Sequence, residues 1–174
     1  MRSRARIRVL DEPWPEEPGT HVKRAGPVTF WAETLKLRTQ GSPEFIDITD
    51  SVTEIVSRSE VSQGWVSVFS KHTTAAVLIN ENEPLLLEDM KALLTRLAGP
   101  QAPYQHDELS RRTGPMEADE CANGHAHCQH LLLPSSETIP IAAGKMDLGR
   151  WQRIFFVELD RPRDREVVIQ VFGA

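Results

Sequence analysis

Cysteine and tyrosine are scarce in this chain of 174 residues, and basic residues are outnumbered by acidic ones. Its two cysteines, Cys121 and Cys128, are too few for the disulfide framework of a small secreted protein. The net charge of −5 creates no positive field to attract nucleic acid or an anionic membrane. No apolar run approaches the roughly 20 residues that span a bilayer, and the arginine-rich start lacks the apolar segment of a secretory signal. These absences predict a cytoplasmic protein with no nucleic-acid partner and no membrane partner.

What is present suits one globular domain. Hydrophobic residues make up 40% of the chain and charged residues 26%, as in ordinary soluble proteins, and the length suits one core. Residues 1–26 are first basic, then acidic and rich in proline. With little to bury, they predict a flexible tail. A single folded domain is therefore predicted over residues 27–174.

Strand patterns dominate the predicted domain. Thr29–Arg38 alternates over much of its length, as a half-buried strand does. Further strands are predicted at 45–49, 64–70, 75–80, 137–141, 150–160 and 166–172. The one clear helix begins at Pro84, after which leucines recur at helical spacing until Gly99. A shorter helix follows residue 48, with Thr49 or Asp50 as its expected N-cap. The pattern predicts an α+β fold, a largely antiparallel sheet or sandwich with one main helix and one or two short helices.

Three of the six histidines crowd into the segment His125–His130. On a strand His125 and His127 would share a face, whereas on a helix His127 and His130 would be neighbours. Zinc needs about four ligands in a tetrahedral array, so distant residues would have to complete any metal site. The local pattern favours the other interpretation, a solvated loop with one buried, hydrogen-bonded imidazole.

Other candidate residues stand alone, and each has a structural alternative. His72 lies between two predicted strands beside threonine hydroxyls, suited either to the rim of a pocket or to a turn. Glu81 directly follows an apolar strand, where a carboxylate can acquire a raised pKa or bind Mg²⁺. Trp151 and Gln152 can supply a stacking surface and an amide, or Trp151 can belong to the core. Arg163 can bind an anion or lie exposed.

Nine short segments occur in a distinctive order: His72-Thr73-Thr74-Ala75, Asn80-Glu81-Asn82, Glu88-Asp89-Met90, Tyr104-x-His106-Asp107, Ala126-His127, Ser136, Ile139-Pro140, Gly144-Lys145 and Leu148-Gly149-x-Trp151-Gln152. Together they resemble the YjbQ-like family, small proteins often labelled secondary thiamine-phosphate synthases. The resemblance covers residues 28–173. It implies a compact β-rich α+β fold, assembled as a homotrimer with a polar cleft near the subunit contacts.

The resemblance also implies site residues, and we expect His72, His106 and His127 to converge at one pocket with Glu81. The catalytic candidates are His72, Glu81, His106 and His127. The ligand-binding candidates are Thr73, Asn80, Ser136, Trp151, Gln152 and Arg163. The implied reaction joins a pyrimidine-methyl diphosphate to a thiazole phosphate, and cationic groups or a divalent ion stabilise the departing pyrophosphate.

Two alternatives to the transferase remain open on the same residues. His72, His106 and His127 as ligands of Zn²⁺ or Mg²⁺ would instead make a metal-dependent hydrolase. A non-catalytic trimeric module that binds a small anion or a metal is the other hypothesis. Two positions depart from the family pattern: Glu83 directly precedes Pro84, where the family usually has an aspartate and one more residue, and Pro134 replaces a common glycine.

Overall fold

The computed structural model describes residues 27–114, 116 and 120–174, so the tail predicted for residues 1–26 lies outside the described residues. Three helices are present in these ranges: α1 Thr49–Ser59, α2 Pro84–Leu97 and α3 Gly124–His130. Two 3-10 turns, Gln105–Asp107 and Leu109–Arg111, precede α3. The strands are β1 Thr29–Arg38, β2 Glu44–Asp47, β3 Gln63–Ser70, β4 Ala75–Glu81, β5 Ser136–Ala142, β6 Lys145–Met146, β7 Gln152–Glu158 and β8 Asp164–Gly173.

The strands form two antiparallel sheets. The larger sheet has the order β1-β8-β3-β5-β6, and the smaller has the order β2-β7-β4. The predicted α+β class, with an antiparallel body and one main helix, is confirmed. Among the described residues, no helix is both long enough and apolar enough to cross a membrane.

The smaller sheet is covered on both faces. One face packs against the larger sheet and α1 through residues such as Val77, Ile154 and Phe156, and the other packs against α2 and α3 through Phe155 and Val157. This explains why β7 is apolar along most of its length instead of alternating. Burial of each phenylalanine contributes about 1.5–3 kcal/mol.

The two longer helices begin differently from each other. Helix α1 has Ile48 as its N-cap with no side-chain cap, so the prediction of Thr49 or Asp50 in that role is wrong. The Thr49 hydroxyl instead donates to Asp47 Oδ1 at 2.6 Å and accepts the N–H of Ile154 at 2.8 Å. Helix α2 is capped by Glu83, whose carboxylate accepts two backbone N–H groups of the first turn. The carboxylate that precedes Pro84 is therefore engaged in helix capping.

Candidate functional site

The histidine-rich segment forms helix α3, so the solvated-loop interpretation is wrong. Gln129, on the buried side of α3, donates to the carbonyl of Ala98 just after α2 at 2.8 Å. At the start of α3, a Cβ on Gly124 would come within 2.5 Å of Tyr104, which only a glycine avoids. These contacts fix the helix so that His127 lies on the wall of a cavity.

His106 reaches the same cavity from the first 3-10 turn. The turn is tied to α3 because Asp107 Oδ1 accepts the backbone N–H of Gly124 at 2.8 Å. The rings of His106 and His127 consequently meet edge to face, with centroids 4.6 Å apart. This pair is the closest approach among the predicted catalytic histidines that the described residues record.

His72 lies just after β3 and is held by β8. Its Nε2 accepts the backbone N–H of Glu166 at 3.0 Å, so in the neutral ring the proton resides on Nδ1. Burial lowers the pKa of His72 below 6.5, and the charge of Arg165 lowers it further. At neutral pH His72 is therefore an uncharged hydrogen-bond donor with a fixed tautomer.

His127 is likewise uncharged at neutral pH. Burial lowers its pKa below 6.5, the neighbouring His106 adds to this effect, and Asp160 opposes it. An uncharged imidazole at a cavity wall is suited to accept a proton from a bound molecule. His127 is therefore the histidine of the site best placed to act as a general base.

A cavity of about 350 Å³ brings these histidines together. This volume suits one small ligand. The residues that line it are Lys71, His72, Thr73, Thr74, His106, Arg112, Glu120, Asn123, His127, Arg163 and Arg165. The structure thus places five of the predicted site residues around one cavity, although His72, His106 and His127 come from three separate elements.

Each cation of the cavity has a carboxylate partner. The pairs are Lys71–Glu166 at 2.8 Å, Arg112–Glu120 at 2.7 Å, Arg163–Asp160 at 3.2 Å and Arg165–Glu158 at 2.5 Å. Formal charge is therefore balanced within these pairs. A ligand of this cavity is recognised by oriented hydrogen-bond donors more than by net positive charge.

Three buried polar atoms on the cavity wall have no hydrogen-bond partner among residues 27–114, 116 and 120–174: His106 Nε2, Asn123 Oδ1 and Arg163 Nε. Buried polar groups are almost always satisfied, and leaving one unpaired costs about 1–3 kcal/mol. Arg163 offers a donor, whereas Asn123 offers an acceptor. The unpaired atoms indicate a ligand that both accepts and donates hydrogen bonds.

The described residues do not fit a metal ion. No group of three His, Cys, Asp or Glu side chains in them is arranged to hold one. His72 is separated from such a role because its Nε2 is already bonded to the backbone of Glu166. His106 and His127 alone supply two of the roughly four ligands that zinc requires.

The other predicted residues lie away from the cavity. Glu81 ends β4, six residues beyond Ala75 at the cavity end of that strand, and it pairs with Gln152 of β7. Six residues of strand span about 20 Å. Asn80 and Trp151 are the sequence neighbours of Glu81 and Gln152. The side chain of Trp151 is 60% exposed, and the guanidinium of Arg150 lies over its ring.

Ser136 is also separate from the cavity. It begins β5 opposite Phe69 of β3, and it is exposed. Of the ten predicted site residues, the structure therefore unites His72, Thr73, His106, His127 and Arg163, and it leaves Glu81, Asn80, Ser136, Trp151 and Gln152 elsewhere.

Sequence reasoning missed several residues of the cavity wall, and Arg165 carried a usable signal. In β8 the buried positions alternate, and Arg165 occupies the first of a buried series that continues with Val167 and Ile169. An arginine in such register must have a buried acidic partner. Glu158, which follows the apolar run of β7, was the matching signal. Arg112 and Asn123 had no comparable sequence signal.

Comparison with known proteins identifies the relatives of this chain. The family model described as UPF0047 protein YjbQ-like matches residues 33–174. The chain belongs to the UPF0047 family. Its UPF0047 relative from Methanothermobacter thermautotrophicus is 38% identical over 143 residues, which cover 82% of this chain and 92% of the relative. The relative from Archaeoglobus fulgidus is 40% identical over 136 residues, which cover 78% and 97%. The resemblance recognised from the nine segments is thereby confirmed.

Solved structures agree with this membership of the UPF0047 family. A YbjQ-like protein of unknown function from Sulfolobus solfataricus superposes with a TM-score of 0.76 at 31% identity, covering 85% of this chain and all of the other. A hypothetical protein from Aeropyrum pernix superposes with a TM-score of 0.73 at 34% identity, covering 83% and 99%. These structures support the fold and leave the reaction to be argued from the cavity.

Proposed function

We propose that the cavity binds a small phosphorylated molecule and serves a group transfer that releases pyrophosphate. The implied reaction moves a pyrimidine-methyl group onto a thiazole phosphate, as the family resemblance suggests. The observation that carries the proposal is the unpaired Nε–H of Arg163, buried on a wall that also presents Lys71, Arg112 and Arg165. Guanidinium groups match the geometry of phosphate oxygens.

The roles of the individual residues follow from their hydrogen bonds. Thr73 and the Nδ1–H of His72 add neutral donors beside the cations. His127, whose pKa is lowered by burial, faces the reacting molecule as an uncharged hydrogen-bond partner. The thiazole nitrogen attacks the pyrimidine methylene carbon with its lone pair while the bond from that carbon to the diphosphate oxygen breaks, so no proton has to be removed. Because no tryptophan, tyrosine or phenylalanine among the described residues lines the cavity, the rings of His106 and His127 are the flat surfaces available to a heterocycle.

Assembly as a homotrimer is part of the proposal. Support comes from the outer face of the larger sheet, where Phe30, Phe172, Trp65 and Pro140 lie opposite one another on successive strands. The first three are between 38% and 63% exposed, and an apolar row of this kind is suited to a subunit contact. Sedimentation equilibrium of the full chain tests this, and a monomeric mass would contradict it.

A non-catalytic module that binds a small anion is the second candidate. It is favoured by the charge balance of the four cation pairs, because a site with no excess positive charge offers limited stabilisation to a departing diphosphate. The two candidates share the ligand class and differ only in turnover. The metal-dependent hydrolase needs a third ligand beside His106 and His127, and the described residues provide none.

One experiment separates these functions. Purified full-length protein is titrated with pyrophosphate by calorimetry. In a separate sample the protein is incubated with the pyrimidine diphosphate and the thiazole phosphate, and the pyrophosphate released is measured. Binding with turnover that disappears in His127→Gln supports the transferase. Binding without turnover supports the module. If neither pyrophosphate nor the two substrates bind, the proposal is wrong, and a stoichiometric metal lost in His127→Ala would favour the hydrolase.

A further inference from the structure

Glu158 and Arg165 form the most deeply buried ion pair among the described residues. Their side chains are 0% and 4% exposed. Glu158 ends β7 of the smaller sheet, and Arg165 lies near the start of β8 in the larger sheet. The pair therefore joins the two sheets at the cavity, where Arg165 is part of the wall.

The hydrogen bonds of Arg165 leave one nitrogen unused. Its Nε donates to Glu158 Oε2 at 2.6 Å and its Nη2 to Oε1 at 2.5 Å, while Nη2 also donates to Thr74 Oγ1 at 3.1 Å. No partner for Nη1 occurs in the described part of the chain. A guanidinium carries five N–H donors, so the two on Nη1 remain for a bound molecule.

Glu158 cannot release the guanidinium easily, because its own position is fixed by other donors. Oε1 accepts the backbone N–H groups of Leu159 at 3.1 Å and Asp160 at 3.0 Å, and Oε2 accepts the hydroxyl of Thr39 at 3.1 Å. With five donors in all, the carboxylate is saturated. It holds the guanidinium in one orientation before any ligand arrives.

Arg165 borders two cavities. Besides the cavity described above, it lines a second one of about 520 Å³, whose wall also includes Lys36, Arg38 and His72. His72 and Arg165 are the residues common to both walls. Arg165 and His72 therefore lie between the two cavities.

We propose that Arg165 anchors the phosphoryl group of the ligand through Nη1, and that Glu158 is the positioning residue that aims it. The inference rests on the proposed binding of a phosphorylated molecule and adds which cation makes the decisive contact. Lys71 and Arg163 are more exposed, at 49% and 31% of their side chains. A donor fixed in advance loses less conformational freedom on binding and therefore contributes more affinity.

The test measures pyrophosphate affinity of the full-length protein by calorimetry. Arg165→Lys keeps the charge but loses the fork geometry, and we expect affinity to fall at least about tenfold. The double variant Glu158→Gln with Arg165→Met removes both charges together, so no buried charge is left unpaired, and Gln retains an acceptor for the two backbone donors. It should fold and show the same loss. Arg153→Met, which breaks an ion pair with Asp47 outside the cavity, is the matched control and should bind normally.

A rescue experiment distinguishes positioning from a merely structural role. In Arg165→Ala, added millimolar guanidinium should restore pyrophosphate binding, because Glu158 can hold the free cation in place of the side chain. In the double variant Glu158→Gln with Arg165→Ala the same addition should restore nothing.

The outcomes separate the two proposals. If the wild-type protein does not bind pyrophosphate, the proposed function fails. If the wild-type protein binds it and both Arg165→Lys and the Glu158→Gln, Arg165→Met protein bind within about threefold of it, the anchoring role of Arg165 is wrong. Rescue that does not depend on Glu158 would overturn the positioning role alone.

Discussion

The two ends of the β4–β7 strand pair bear polar residues of similar type but differ in burial. At the cavity end, Glu158 pairs with Arg165 at side-chain exposures of 0% and 4%. At the far end, Asp47 pairs with Arg153 at 17% and 37%, near Glu81 and its partner Gln152. Unpaired buried polar atoms line the cavity end. Polar residue types alone therefore do not mark a site, whereas burial combined with an unmet hydrogen bond does.

The largest expected difference between the ends is in stability. Glu158→Met leaves the Arg165 guanidinium buried without its counter-charge, so we expect the free energy of unfolding to fall by about 3–5 kcal/mol. Arg153→Met breaks a partly exposed pair and should cost about 1 kcal/mol or less. Urea unfolding of both variants provides the measurement. Equal losses would show that burial does not distinguish the two pairs.

The next effect concerns ligand affinity. His127→Gln removes the imidazole that faces the cavity, and we expect pyrophosphate affinity to fall about tenfold. His125→Gln alters the same helix beside Tyr104, outside the cavity wall, and should change affinity less than about twofold. Calorimetric titration compares them. Similar losses in both variants would refute the assignment of His127 to the wall.

The far end can be tested in the same titration. Trp151→Ala should leave pyrophosphate affinity unchanged, because Trp151 is absent from the cavity wall within one chain. A loss of affinity together with an intact trimer would show that Trp151 from a neighbouring protomer completes the site. The difference between the two ends of the β4–β7 strand pair would then apply to a single chain but not to the assembled trimer.

A smaller effect is expected from pH. The pKa of His127 and that of His72 are lowered mainly by burial, so the unfolded chain binds protons more readily than the folded one below pH 6.5. Their contribution to stability is complete above that value and is lost as the pH falls towards the folded pKa. We expect Tm to decrease from about pH 7.5 to about pH 5.5, and the decrease to be smaller in His127→Gln.

The far end should respond only to stronger acid. Burial raises the pKa of Asp47, but hydrogen bonds from Arg153 and Thr49 outweigh it and bring the pKa below 3.8. The stability that this carboxylate contributes is present above pH 3.8 and is lost as the pH falls through its lowered pKa. A difference in Tm between wild type and Asp47→Asn that already shrinks between about pH 7 and about pH 5.5 would contradict this.

The smallest expected effect is that of Cys128→Ser. Cys128 is an exposed free thiol next to His127 on α3, so we expect the unfolding free energy to change by less than about 0.5 kcal/mol and pyrophosphate affinity to stay the same. Unfolding measurements and calorimetric titration of this variant test whether the face of α3 that bears His127 is the part of the helix that contributes to the cavity. A marked loss of affinity would mean that the helix is rotated from the orientation described.

The sequence predicted the strands, the main helix and part of the site, for identifiable reasons. Thr29–Arg38 and Pro84 carry periodicity and turn signals that depend only on neighbouring residues, and both were placed correctly. His72, His106 and His127 were chosen through the family resemblance and share one cavity. Glu81 was grouped with them because it matches the acid of the family's Asn-Glu-Asn segment, but the extended strand β4 carries it to the opposite end of the sheet.

The amino-acid sequence by itself determined the local elements, the family and the histidines worth testing. Periodicity and the nine short segments can be recognised without knowledge of long-range contacts. Only the tertiary structure decided which polar residues meet. Glu158 and Arg165 lie on different sheets, and their bidentate pairing depends on how β7 and β8 pack. The free Nη1 of Arg165 and the unpaired Nε of Arg163 follow from that packing, because hydrogen-bond satisfaction is a property of the folded neighbourhood.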